Sequence, residues 1–149
     1  MDDLVQREGT YYKKFSEVPF TGEVEGMQQG SLRNGLKEGS WVNYWVNGQL
    51  SSKGDFKDGK KEGSWVSYRD NCQLASAGDY KNGKKEGDWI YYYPNGQLMI
   101  KGSYKNGQRE GEWVFYRNGG QLDLKGNYQN GKREGEWVWY DEDGKKISD

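Results

Sequence analysis

The stretch Gly78-Asp79-Tyr80-Lys81-Asn82-Gly83-Lys84-Lys85-Glu86-Gly87-Asp88-Trp89 decides the fold, because its pattern returns in phase along most of the chain. Its closing indole recurs at Trp41, Trp65, Trp89, Trp113 and Trp137, every 24 residues. A fixed period of that size marks a repeat protein in which each unit covers its neighbour. Full units run Gly39 to Glu62, Gly63 to Glu86, Gly87 to Glu110 and Gly111 to Glu134, with a half unit from Gly135. A degenerate unit comes before them, since Gly30, Leu32, Asn34, Gly35, Glu38 and Gly39 fall in phase. The division expected is a lead-in over residues 1–29, carrying a cap, and repeats over 30–149, all within one structural domain.

Two turn signals alternate inside each unit. Asn47-Gly48 and Asn95-Gly96 follow their tryptophan by six and seven residues, while Asp58-Gly59, Asn82-Gly83, Asn106-Gly107 and Asn130-Gly131 follow by seventeen and eighteen. Such pairs supply the positive φ angles of a two-residue hairpin turn, so strands of about five to seven residues should alternate in direction. No window shows helical periodicity, and 23 glycines oppose helix. The fold class expected is all-β: an antiparallel β-hairpin repeat meander, elongated, twisted and built as a single sheet. At about 4.8 Å between strands the full units would advance about 40 Å.

With the tryptophan at position 0, two-residue turns pair position 2 with 11 and position 0 with 13. Positions 2 and 11 then match in character: Asn43 with Ser52, Ser67 with Ser76, Tyr91 with Ile100, Phe115 with Leu124. Gly54, Gly78, Gly102 and Gly126 fall opposite tryptophans, where an indole can shield a bare backbone. Leu50, Leu74, Leu98, Leu122, Phe56, Tyr80, Tyr104 and Tyr128 are expected on that aromatic face, with a Val/Tyr ladder on the other. A flat sheet would leave the tryptophans in water, so the ribbon has to twist.

Leu, Ile, Val and Phe make up only 23 of 149 residues, a level that warns of disorder. The warning fails here because 19 Trp and Tyr supply apolar area, and 22 basic residues nearly balance 23 acidic ones. A lone cysteine gives no disulfide framework. Cys72 stands where other units have glycine, so that turn should be altered. No stretch reads as a transmembrane helix or signal peptide, which fits a cytoplasmic chain or an exported one whose leader was removed.

The unit at Gly78 to Trp89 resembles the variant MORN repeat of bacterial proteins of the YwqK antitoxin type. Tyr11-Tyr12-Lys13-Lys14-Phe15 and Pro19-Phe20-Thr21-Gly22 are similar to the lead-in that such proteins share. The resemblance implies a scaffold or binding module, an antitoxin or immunity-type inhibitor within it, and an export signal in many relatives. The shortened first unit and Asp70-Asn71-Cys72 depart from the pattern.

With no histidine and an unpartnered cysteine, catalysis lacks its commonest base and nucleophile pair, and no cofactor or metal is expected. Glu62, Glu86, Glu110 and Glu134 recur beside basic pairs and read as a structural salt-bridge row at the turns. The leading expectation is binding of another protein. Positions 2, 4 and 11 vary between units, and their Trp, Tyr and Arg are typical interface anchors. They nominate Trp45, Arg69, Tyr91, Tyr93, Ile100, Phe115, Arg117, Leu124 and Trp139 as the partner-binding set. The other expectation is anionic lipid or another polyanion on one edge row of Lys60, Lys61, Lys84, Lys85, Arg109, Lys132 and Arg133. Carbohydrate binding is a third reading without a polar clamp. Nucleic acid is not expected at a net charge of -1, and the chain should be a monomer or weak oligomer.

Overall fold

A computed structural model describes residues 3–147. The chain begins with β1 (Leu4–Arg7) and β2 (Thr10–Lys13), a separate two-stranded sheet. The second sheet opens with β3 (Gly22–Val24), β4 (Gln28–Arg33) and β5 (Leu36–Tyr44). It continues through β6 (Leu50–Lys57), β7 (Lys60–Tyr68), β8 (Leu74–Lys81), β9 (Lys84–Tyr92) and β10 (Leu98–Lys105). It ends with β11 (Gln108–Tyr116), β12 (Leu122–Gln129), β13 (Lys132–Tyr140) and β14 (Lys146–Ile147). All twelve strands from β3 to β14 pair antiparallel in chain order, which is the meander expected.

The repeat strands are eight or nine residues long, beyond the expected five to seven. Glu-Gly-x-Trp is not a turn but lies within a strand, which continues through it with a bulge at the glycine. The tight turn at Asp58-Gly59 is the two-residue kind expected: φ is 50° and 76°, and Lys57 pairs with Lys60. The Asn47-Gly48 turn differs. Trp45 N–H donates to Gln49 O and Gly48 N–H to Trp45 O, both at 2.8 Å, enclosing three residues with only Gly48 left-handed, at φ 80°. Asn47 serves there through its side chain, whose Oδ1 accepts the Gln49 N–H at 3.0 Å.

A three-residue loop alone would shift the register by one, yet Trp41 does pair with Gly54 and Asn43 with Ser52. A bulge at Ser51 absorbs the extra residue, leaving Tyr44 opposite Leu50. The same step pairs Tyr68 with Leu74, Tyr92 with Leu98 and Tyr116 with Leu122. The four leucines therefore stand with the Val/Tyr ladder and not with the indoles, because a one-residue slip exchanges faces.

A second bulge seats the tryptophans. Between Lys53–Val66 and Asp55–Glu62, Gly54 alone faces Gly63, Ser64 and Trp65. Gly63 at φ 64° makes the bend, and the Trp65 indole folds over Gly54, where any Cβ would overlap the ring carbons. Trp89 covers Gly78, Trp113 covers Gly102, Trp137 covers Gly126 and Trp41 covers Gly30. The covered glycine thus belongs to the strand before the tryptophan, not to the hairpin partner that the register suggested. Four of the five indoles then donate to the next carbonyl: Trp41 Nε1 to Ser31 O at 3.2 Å, Trp65 to Asp55 O at 3.0 Å, Trp89 to Asp79 O at 3.1 Å and Trp113 to Ser103 O at 3.2 Å, whereas the buried Trp137 Nε1 has no partner among the described residues. Trp41, Trp65, Trp89 and Trp113 are at most 4% exposed. Each buries enough area for about 4–6 kcal/mol of transfer energy before chain entropy is set against it.

The units are also tied at the tight turns. Gly83 N–H donates to Lys61 O at 2.9 Å, and Asn82 N–H to Glu62 Oε2 at 2.8 Å. Glu38, Glu86 and Glu110 do the same for Asp58, Asn106 and Asn130. These glutamates lie in strands and hold the next turn; among the described residues they form no salt-bridge row. The lead-in imitates this contact for the first turn, where Phe20 O accepts Gly35 N–H and Thr21 Oγ1 accepts Asn34 N–H. Leu4, Tyr11 and Phe20 pack on the Val24, Leu32 and Trp41 core.

Cys72 keeps the ordinary turn rather than altering it. Its φ is 68°, beside 80° at Gly48 and 85° at Gly96, and its N–H donates to Arg69 O at 3.0 Å. A side chain in that region is strained, and Cys72→Gly should stabilise the protein by about 0.5–1 kcal/mol in equilibrium urea unfolding.

Candidate interaction surface

Each indole on the aromatic face is a sandwich. The glycine lies beneath it and a cation above: Lys37 over Trp41 at 4.1 Å, Lys61 over Trp65 at 4.2 Å, Lys85 over Trp89 at 4.3 Å. Arg109 over Trp113 at 4.5 Å and Arg133 over Trp137 at 4.2 Å extend the column. Between the tryptophans stand Phe56, Tyr80, Tyr104 and Tyr128, meeting them edge to face at 5.1–6.2 Å and 76–89°. Such pairs favour the ring edge against the ring face, each contributing about 0.5–1.5 kcal/mol beyond burial. The ring faces attract the cations, while burial and then the next cation hold the Lys37 and Lys61 ammonium groups below the usual lysine pKa.

This column divides the basic residues expected to share one row. Lys61, Lys85, Arg109 and Arg133 stand over indoles. Lys60, Lys84 and Lys132 are their chain neighbours and point to the other face. The Lys60 stem lies against Gly83 in the next turn, and Lys84 against Gly107. The single edge row is therefore two rows on opposite sides of the sheet.

The partner-binding set divides as well. Positions 2 and 11 form one transverse line across the strands, because each is the registered partner of the next. It reads Asn43, Ser52, Ser67, Ser76, Tyr91, Ile100, Phe115, Leu124, Trp139. Gln28 extends it at one end and Ile147 at the other, residues that the repeat spacing did not nominate and that only strand pairing reveals. From Tyr91 onward every member is apolar or aromatic. Leu124 is buried, Tyr91, Ile100 and Phe115 are half-buried, and Trp139 and Ile147 are 39% and 49% exposed.

The position 4 residues, by contrast, are engaged within the fold. Trp45 Nε1 donates to Tyr68 O at 3.1 Å, and Arg69 Nη2 to Tyr92 O at 2.9 Å. Tyr93 Oη donates to Tyr116 O at 2.8 Å, and Arg117 Nη2 to Tyr140 O at 2.7 Å. Three side-chain types thus reach one equivalent carbonyl, 23 residues ahead. That explains why the position varies yet always carries an N–H or O–H donor in these units. Trp45 remains 41% exposed beside Val46 at 92%.

Hydroxyls and cations meet at two more points. Lys85 Nζ donates to Tyr91 Oη at 2.6 Å, and Tyr91 Oη lies 3.2 Å from Tyr104 Oη. Burial first, and the Tyr104 hydrogen bond second, push the Tyr91 phenol well above its ordinary pKa. Arg109 Nη1 donates to Tyr128 Oη at 2.9 Å. Among the described residues no group of three or more His, Cys, Asp or Glu is placed to hold a metal, and no helix is long and apolar enough to cross a membrane.

A family model described as MORN repeat variant matches residues 37–58, 85–106, 109–130 and 133–149, more than half of the chain. No curated protein matches the chain. The matched windows begin in phase, each at or beside the cation that lies on an indole. The in-phase window they omit contains Asp70-Asn71-Cys72.

Arg117 also pairs with Asp123 at 3.0 Å, so it joins two units and one hairpin. Arg117→Ala should lower stability by about 1–2 kcal/mol in urea unfolding, whereas a purely peripheral side chain would leave the midpoint unchanged.

Proposed function

Because this chain belongs to the MORN repeat variant family, a repeat class that often binds proteins or membranes, we propose that it is a protein-binding module. Its activity on this reading is an antitoxin or immunity-type inhibition, exerted by covering a partner rather than by chemistry. The family is generally non-enzymatic, in keeping with a chain that has no histidine.

The observation that carries the reading is the change along the transverse line. Its first part is Asn43, Ser52, Ser67 and Ser76, and its second part is Tyr91, Ile100, Phe115, Leu124, Trp139 and Ile147. Folding alone does not demand that difference, since the same backbone carries serine in one unit and phenylalanine in another. Six apolar members across six strands span about 24 Å, the width of a small partner's contact patch. Tyr, Trp and flanking Arg are the side chains that most often anchor such patches. Arg69, Tyr93 and Arg117 support the patch by fixing the loops at its border, and Trp45 does the same beside the serine part of the line.

A second reading, an anionic membrane-surface scaffold, is favoured by the cation column. Lys37, Lys61, Lys85, Arg109 and Arg133 recur two strands apart, about 9.6 Å, a spacing that headgroups can match.

Affinity capture from the source cell, followed by titration of the captured partner, tests the first reading. Trp139→Asp and Ile147→Asp should each weaken the partner at least tenfold, about 1.4 kcal/mol, with the thermal midpoint nearly unchanged. Undiminished affinity in both variants, together with salt-sensitive flotation on anionic vesicles, would favour the membrane reading instead.

A further inference from the structure

Between the indoles of Trp65 and Trp89 the aromatic face holds a cavity of about 140 Å³. Its lining includes Ser52, Ser67, Ser76, Tyr80, Lys61 and Lys85, and contains no carboxylate. The opening exists because positions 2 and 11 are serines here. The equivalent space beside Trp113 is occupied by Phe115 and Leu124.

The lining is rich in unspent donors. Ser52 Oγ accepts from Asn43 Nδ2 at 2.9 Å, which leaves its own proton free. Ser67 and Ser76 share one hydrogen bond at 2.7 Å, so one of the two hydroxyls keeps a proton to give. Among the described residues the Tyr80 hydroxyl and the Lys61 ammonium have no hydrogen-bond or ion-pair partner. Lys85 spends one of its three protons on Tyr91. Two cations and several hydroxyls converge here with no carboxylate in the lining, and the ammonium groups meet only the indole faces of Trp65 and Trp89, at 4.2 and 4.3 Å, and neighbouring tyrosines, so the site lacks a formal counter-charge.

We propose that this cavity binds a tetrahedral oxyanion, a phosphate monoester, through Lys61, Lys85 and the serine hydroxyls. A carboxylate offers two oxygens in one plane. A phosphate monoester offers three on a tetrahedron and about two negative charges, which suits cations on two sides and hydroxyls on a third. The carrier is a phosphorylated protein segment. Ser76 is the registered neighbour of Tyr91, so the cavity lies at the head of the apolar line, and a protein docked there would reach it directly. This choice of carrier rests on the protein-binding reading above; the oxyanion site itself does not.

Titration of the full chain with inorganic phosphate and with phosphoserine, at constant ionic strength and pH 7.5, tests the site by calorimetry. One saturable site is expected, with phosphoserine the tighter ligand. Lys61→Met should weaken it at least tenfold. The double variant Ser67→Phe with Ser76→Leu copies the pair found at Phe115 and Leu124, and should fold normally and lose binding. Trp139→Asp should leave phosphate binding unchanged, which separates failure of this site from failure of the apolar patch. No saturable binding up to millimolar phosphate, or equal binding by the filled variant, would overturn the site. Flotation on phosphatidic-acid vesicles that the filled variant abolishes would overturn the protein carrier.

Discussion

The seating of an indole on a backbone without a side chain is the constraint from which the rest of this sheet follows. A ring lying flat needs the strand beneath it to present no Cβ, and it needs its own strand to bend toward that strand. Glycine at position 13 meets the first need, and the bulge centred on the positive-φ glycine before each tryptophan meets the second. Once the ring is down, its upper face is left for a cation, and in Trp41, Trp65, Trp89 and Trp113 its N–H finds a carbonyl on the same neighbouring strand. Glycine, tryptophan and lysine or arginine therefore recur together as one packing unit, not as three independent preferences.

A single sheet has no second layer, so its stability depends on covering each ring from within the same layer. The alternating Trp and Phe or Tyr rings do this edge to face, and the turn clamps keep successive hairpins in step. Both edges are laced to the next unit, one by glutamate and backbone carbonyl, the other by position 4 donors and the Asn47 and Asn95 amides. Because the lacing accounts for the invariant residues, differences between units fall to the transverse line, where the fold accepts serine and phenylalanine alike. The same freedom opens a cavity in one unit and builds an apolar patch in the next.

Much of this was legible in the chain. The 24-residue period gave strand count, order and antiparallel sense, and the matching of Ser67 with Ser76 and Phe115 with Leu124 gave the register. What escaped was local departure from period two. Ser51 in a bulge carries Leu50 to the other face, yet the expected register survives because loop length and bulge offset each other. Lys60 and Lys61 look like one basic pair in sequence, but adjacent strand residues face opposite ways. Glu62 looks like a salt-bridge partner of both, although its carboxylate is taken by a backbone N–H twenty residues on. Position 4 varies from unit to unit in the sequence. Its constraint is one of donor capacity, and Trp, Arg and Tyr share that property without sharing shape.

Proton NMR gives the most direct test, because a ring lying flat on a glycine shields the α-protons beneath it. The α-protons of Gly54, Gly78, Gly102 and Gly126 should resonate far upfield of ordinary glycine, while those of the turn residues Gly48 and Gly96 should not. Ordinary positions for all four would contradict this seating, since the indoles would then lie elsewhere.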